Sequence, residues 1–201
     1  MYRFRTVAVL WALAFPAVSL GQNLAPNPSF ESLSGALPAN WALCTGSGAG
    51  LLESASDQRD QGTRSLRLTV TQTGDVGVCS NGIAVAPGVT FRLAARLNVN
   101  IAPVKDKQAR LQILELSSTD TQVASRIVAT SVGRAAGWES LSGFFTTGPD
   151  TAKVKIRLLQ DVPGSVGTKF YWDTLSLQRD TAVAWERWER ELTSIADYTV
   201  G

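Results

Sequence analysis

Between residues 23 and 178 the chain alternates apolar and polar positions with a period of two. Ser65-Leu66-Arg67-Leu68-Thr69-Val70 places every second side chain on one greasy face. Phe91 to Val99 follows the same rule, and Val154, Ile156 and Leu158 alternate with Lys153, Lys155 and Arg157. That period predicts half-buried antiparallel strands. Arg110 to Leu116 is less regular. Leu111 and Ile113 share one phase, Leu114 and Leu116 the other, which predicts a single strand with a bulge at the slip. Pro87-Gly88-Val89-Thr90 reads as a turn feeding a strand. Strands every 10–20 residues or so, with Gly-rich turns and no helical period, predict an all-β sandwich or jelly roll.

The texture changes at both ends. After Arg179, Trp185, Trp188, Leu192 and Ile195 fall at helical spacing, with Glu186, Arg187, Glu189, Arg190 and Glu191 on the other faces. Asp180 or Thr181 suits the cap. An amphipathic C-terminal helix is expected. It either docks on the sandwich or frays, or else serves a protein partner or self-association through residues 180–201. At the start, Arg3 and Arg5 precede an apolar run from Val7 to Leu20, and Ser19 and Gly21 are small. This pattern predicts a signal peptide over 1–21, and hence a secreted, periplasmic or cell-envelope protein. The run is short for a membrane span. The expected organisation is signal peptide 1–21, β-sandwich 22–178 and helical tail 179–201.

Charge and composition narrow the function. The signal removes two arginines and no acid, so the 19 basic residues fall to 17 against 17 acids. A neutral mature chain gives no reason to expect nucleic acid or an anionic membrane as partner. There is no histidine, which excludes Ser-His-Asp and Cys-His catalysis and His-ligated zinc or haem. Cys44 and Cys79 are the two cysteines. In an exported chain they suit a disulfide, the alternative being two separate buried thiols. Glycoside hydrolysis needs two carboxylates across a cleft. Glu53, Asp57, Glu115, Asp120 and Glu139 are instead scattered, and the chain is read as non-catalytic.

Six fragments then occur in order: NLAPNPSFE from Asn23, PANW from Pro38, QGTRSLRL from Gln61, IAVAPGVTF from Ile83, GWESLSGF from Gly137, and FYWDTLSL from Phe170. Together they resemble the carbohydrate-binding modules of the family 4/9, CenC-like type, with a galactose-binding-like jelly roll, over roughly residues 23–178. The resemblance implies a structural calcium ion at one edge of the sandwich. Glu31 and Asp173 would supply carboxylates, and carbonyls near Ser29, Gln61 and Arg64 further oxygens, a donor set that calcium favours. It also implies that Trp41, Trp138, Phe30, Phe91 and Phe144 pack inside.

Sugar recognition requires an aromatic face with polar groups around it. Leu175 and Leu177 share parity with Tyr171 and Asp173. If the leucines face the core, Phe170 and Trp172 face outward as a candidate platform, unless the tail helix covers them. Arg110 and Gln112 are candidate polar partners. Two functions follow. One is a poly- or oligosaccharide-binding module. The other is an extracellular assembly domain of the same fold that uses its tail helix.

Overall fold

The computed structural model describes residues 21–44, 46–100, 109–132, 137–160 and 166–180. The expected signal peptide and tail helix lie outside these residues. Thirteen strands follow one another: β1 Leu33–Ser34, β2 Leu37–Pro38, β3 Trp41–Cys44, β4 Ala49–Ala55, β5 Ser65–Gln72, β6 Val76–Ser80 and β7 Ile83–Ala84, then β8 Thr90–Asn100, β9 Ala109–Leu116, β10 Gln122–Thr130, β11 Glu139–Thr146, β12 Lys153–Gln160 and β13 Lys169–Arg179.

The strands form two antiparallel sheets and a small β1–β2 hairpin. One sheet has five strands in the order β11-β8-β13-β5-β4. The other has six, with β10-β9-β12-β6-β3 in a row and β7 against β12. Each sheet gives one face to a shared interior. Leu66, Leu68 and Val70 of β5 meet Ile156, Leu158 and Val78 of the facing sheet there. The alternation that predicted half-buried strands is therefore the alternation of core and outer face. Within the described residues the fold is an all-β sandwich. Cys44 and Cys79 form a disulfide between neighbouring strands β3 and β6.

Three expectations are corrected. First, β9 carries no bulge, because its pairing with β12 runs unbroken from Leu116–Lys153 to Ala109–Gln160. Leu114 faces out and Glu115 faces in; the register shifts lie instead against β10, at Gln122/Ala124 and Ile127/Ala129. Second, Phe144 is exposed. Leu141, Gly143 and Phe145 pair with Ala95, Leu93 and Phe91, all core residues, so Phe144 takes the outer phase.

Third, Phe170 and Trp172 do not form an outer platform. Both are in the core, Trp172 only 1% exposed, and so are Leu175 and Leu177. All four share a face because β13 is bulged. Asp173 pairs with Arg96 and Ser176 with Ala94, so one extra residue is accommodated between them. Thr174, at φ 50°, takes the left-handed conformation there. The bulge reverses the side-chain phase, and parity counted across it fails.

Candidate functional site

With Trp172 inside, the residue that faces outward is Tyr171. It lies in a row across the five-stranded sheet, Glu53–Arg67–Tyr171–Asn98, each opposite the next. Arg67 comes from the alternating Leu66-Arg67-Leu68 stretch, whose leucines fill the core and so direct Arg67 outward. Its Nε donates to Glu53 Oε2 at 2.9 Å and its Nη1 lies 3.3 Å from Asp57 Oδ2. The guanidinium stands 6.0 Å from the Tyr171 ring centroid, within cation–π range. The Tyr171 hydroxyl donates to Asp57 Oδ2 at 3.0 Å.

Charge fixes these groups. The Arg67 hydrogen bond draws Glu53 below the usual carboxylate range, against the opposing effect of burial. Glu53, chiefly, holds Arg67 protonated more firmly than usual. Burial pushes the Tyr171 phenol up, with Asp57 adding to the shift and Arg67 opposing it. Tyr171 thus remains a donor at any ordinary pH. The next row carries Leu51, Thr69 and Lys169. The result is a rigid set of charged donors and acceptors on an outer sheet face, with the exposed Leu51 beside it. Such a set suits hydroxyl-rich ligands, because charge-assisted hydrogen bonds are the stronger ones.

The connection from β4 to β5 folds over part of this face. Gln58 Oε1 accepts from Asn98 Nδ2 at 3.1 Å, and Asp60 Oδ1 accepts from Arg96 Nε at 3.2 Å. These bonds fix one wall beside the Arg67 cluster. They also leave Tyr171 fully covered, so it holds Arg67 and Asp57 in place and offers a ligand neither a stacking surface nor a free hydroxyl. Of the other expected ligand residues, Arg110 and Gln112 lie on the outer face of the six-stranded sheet. There Arg157 Nη1 lies 3.4 Å from Gln112 Oε1. The structure therefore does not bring them together with Phe170, Trp172 or Arg67.

The NLAPNPSFE stretch is tied to the last strand. Asn23 Nδ2 donates to Leu175 O, Asn23 Oδ1 accepts from Leu177 N, and Leu175 N donates to Pro28 O. Two carboxylates then grip the loop before β5 from either side. Glu31 accepts from the Thr63 and Arg64 amides at 2.8 and 3.0 Å and from the Thr63 hydroxyl. Asp173 accepts from the Asp60 and Gln61 amides at 2.8 and 3.0 Å, and from Thr174 N at 2.7 Å. A Cβ on Gly62 would sit 2.1 Å from Glu31 Oε1, so only glycine allows so close a grip.

This arrangement does not fit the expected calcium ion. Calcium takes six to eight oxygens, whereas Gln61 and Arg64 turn their N–H groups to the carboxylates. Among the described residues, no group of three or more His, Cys, Asp or Glu side chains is placed to hold a metal ion. Burial raises the Asp173 pKa against the lowering effect of its three amide donors. For Glu31 burial also acts upward, but Thr63 and Arg64 outweigh it and the net shift is downward.

A second carboxylate, which sequence alone would set with Arg110, Gln112 and Arg126 along an outer groove, is buried instead. Glu115, fully buried, accepts from Gly148 N at 2.7 Å, from the Thr151 hydroxyl and from Arg126. Its place is structural, closing one end of the sandwich. Its only signal in sequence was an acid in phase with the apolar Leu111 and Ile113.

Solved structures share this architecture. The enzymatically active domain of bacteriophage CBA120 tailspike protein 4 superposes with a TM-score of 0.58 at 16% identity, over 79% of this chain and 21% of that one. The CBM22-1 xylan-binding domain from Paenibacillus barcinonensis Xyn10C gives 0.60 at 14% identity, over 81% and 97%. TmCBM61, solved in complex with β-1,4-galactotriose, gives 0.50 at 15%, over 79% and 99%. The chain thus spans about a fifth of the tailspike domain and nearly all of the two isolated modules. At these identities the likeness concerns the fold. A comparison with curated proteins finds no match. The sequence pattern of the carbohydrate binding domain family, however, matches residues 22–161, and the chain belongs to that family.

Proposed function

We propose that the mature chain is a secreted, non-catalytic module that binds a poly- or oligosaccharide through the outer face of its five-stranded sheet. The observation that carries this reading is the Glu53–Arg67–Tyr171 row with Asp57. These groups are held rigid by one another and are not needed by the core. Preorganised polar groups lose little freedom on binding, which favours affinity for hydroxyl-rich ligands. Export is supported by the basic start and apolar run at the N-terminus and agrees with the disulfide.

Xylan and β-1,4-galactan are the first ligands to try, because neighbours of this fold are a xylan-binding domain and a galactotriose complex. In affinity electrophoresis against both, the parent chain is expected to be retarded by at least one of them. Arg67→Ala is expected to lose the retardation, while Arg110→Ala, on the opposite sheet, keeps it. A folded parent that passes every polysaccharide unretarded sinks the proposal, as does an Arg67→Ala chain retarded like the parent.

A further inference from the structure

The edges of the two sheets meet along one side of the sandwich. Gly143 in β11 permits this, since a Cβ there would lie 2.3 Å from the Val128 carbonyl oxygen of β10. At the same seam is an open groove of about 460 Å³ lined by Arg126, Ile127, Phe144, Phe145 and Thr146. Phe144 is 62% exposed and Ile127 51%, while Phe145 is buried. The guanidinium of Arg126 is engaged by Glu115. The groove therefore presents two exposed apolar side chains, Phe144 and Ile127, among polar ones, Thr146 and an Arg126 whose charge is already paired. Phe144 and Ile127 thus leave two large apolar side chains in water within one groove, and covering them would be favourable.

The chain delivers a suitable occupant to this place. β13 ends at Arg179 opposite Phe91, and Asp180 N donates to Thr90 O at 2.9 Å. Thr90 pairs with Thr146 of the groove, their hydroxyls 2.9 Å apart. The described chain therefore ends, at Asp180, two strands from Thr146, about 10 Å away. Residues 181–201 carry Trp185, Trp188, Leu192 and Ile195 at helical spacing, with charges elsewhere. As a helix they would measure about 30 Å, enough to run back along the seam. A stripe of apolar side chains with charged flanks suits a groove that sets Phe144 and Ile127 beside Arg126 and Thr146.

We propose that residues 181–201 dock in this groove, with Trp185 and Trp188 covering Phe144 and Ile127. The inference is independent of sugar binding. It is tested by acrylamide quenching of Trp185 and Trp188 in the full mature chain, their signal isolated by subtracting the Trp185→Phe/Trp188→Phe chain. The tail tryptophans are expected to be shielded in the parent. Phe144→Asp and Ile127→Asp should each raise their quenching constant severalfold. Val132→Asp, an exposed apolar position outside the groove, should leave it unchanged. Both groove side chains are more than half exposed, so folding does not depend on them. Should one variant fail by circular dichroism, the other reads the same groove from the opposite wall.

Equal quenching in the parent and both groove variants overturns the proposal. So does a parent dimer, seen by sedimentation, that Phe144→Asp dissociates with tail quenching unchanged, since a second copy then fills the groove. Glycan binding lost in Phe144→Asp with an unaltered tail overturns it as well, in favour of a sugar.

Discussion

Trp172 is among the largest fully buried side chains, and its replacement measures what the β13 bulge decides. Trp172→Ala removes its packing and leaves a cavity. A loss of about 3–5 kcal/mol is expected in urea unfolding. A loss well under ~1 kcal/mol would put the indole at the surface. The outward direction of Arg67 was legible, because Leu66 and Leu68 on either side leave no other phase. The direction of Tyr171 was not. It depends on an extra residue at Thr174, and that bulge is set by pairing with β8 rather than by the local sequence. Phe144 and Phe145 pose the same problem in another form. Adjacent aromatics cannot both face inward, and only the register with Phe91 selects one.

At the scale of elements, the strands with clean alternation were readable, as β5 and β12 show. The seventh residue of β9 was not. Glu115 occupies an inward position that an apolar side chain would ordinarily fill, and its partners Gly148, Thr151 and Arg126 come from elsewhere in the chain. No local pattern announces such a site, because a buried carboxylate is tolerable only when distant donors converge on it. The pH dependence of stability follows. Burial pushes the Glu115 pKa up, but Thr151, Arg126 and the Gly148 amide outweigh it and leave it lowered, as Arg67 does for Glu53. A carboxylate whose folded pKa lies below its unfolded value stabilises above the latter and loses that contribution as pH falls. Thermal stability should therefore decline as pH drops below the ordinary glutamate value of 4.5. Glu115→Gln should start less stable at neutral pH and decline less steeply. An acid slope identical to the parent's would show that Glu115 contributes nothing to it.

For the whole molecule, the question is what ties the first described segment, the last strand and the loop before β5 together. The order of the six fragments made the fold legible, and the meeting of Glu31 with Asp173 around residues 60–64 follows from it. The bonding was not legible, because a loop can offer either carbonyls or amides to a carboxylate, and sequence does not say which. Here it offers amides. The clasp is then a pair of acceptors closing on four backbone donors of one loop. The melting temperature of the parent should accordingly be the same in millimolar calcium and in chelator. Asp173→Ala should lower it under both conditions by the same amount. Each amide left buried and unpaired costs about 1–3 kcal/mol, so Asp173→Asn, which keeps one acceptor, should fall between parent and alanine. A melting temperature that rises with calcium in the parent but not in Asp173→Ala would reverse the assignment. The loop would then have to turn its carbonyls inward and give up the amide bonds to Glu31 and Asp173. Chelator and mutation together thus distinguish a hydrogen-bonded clasp from a metal-bonded one, because only the former survives the one and fails under the other.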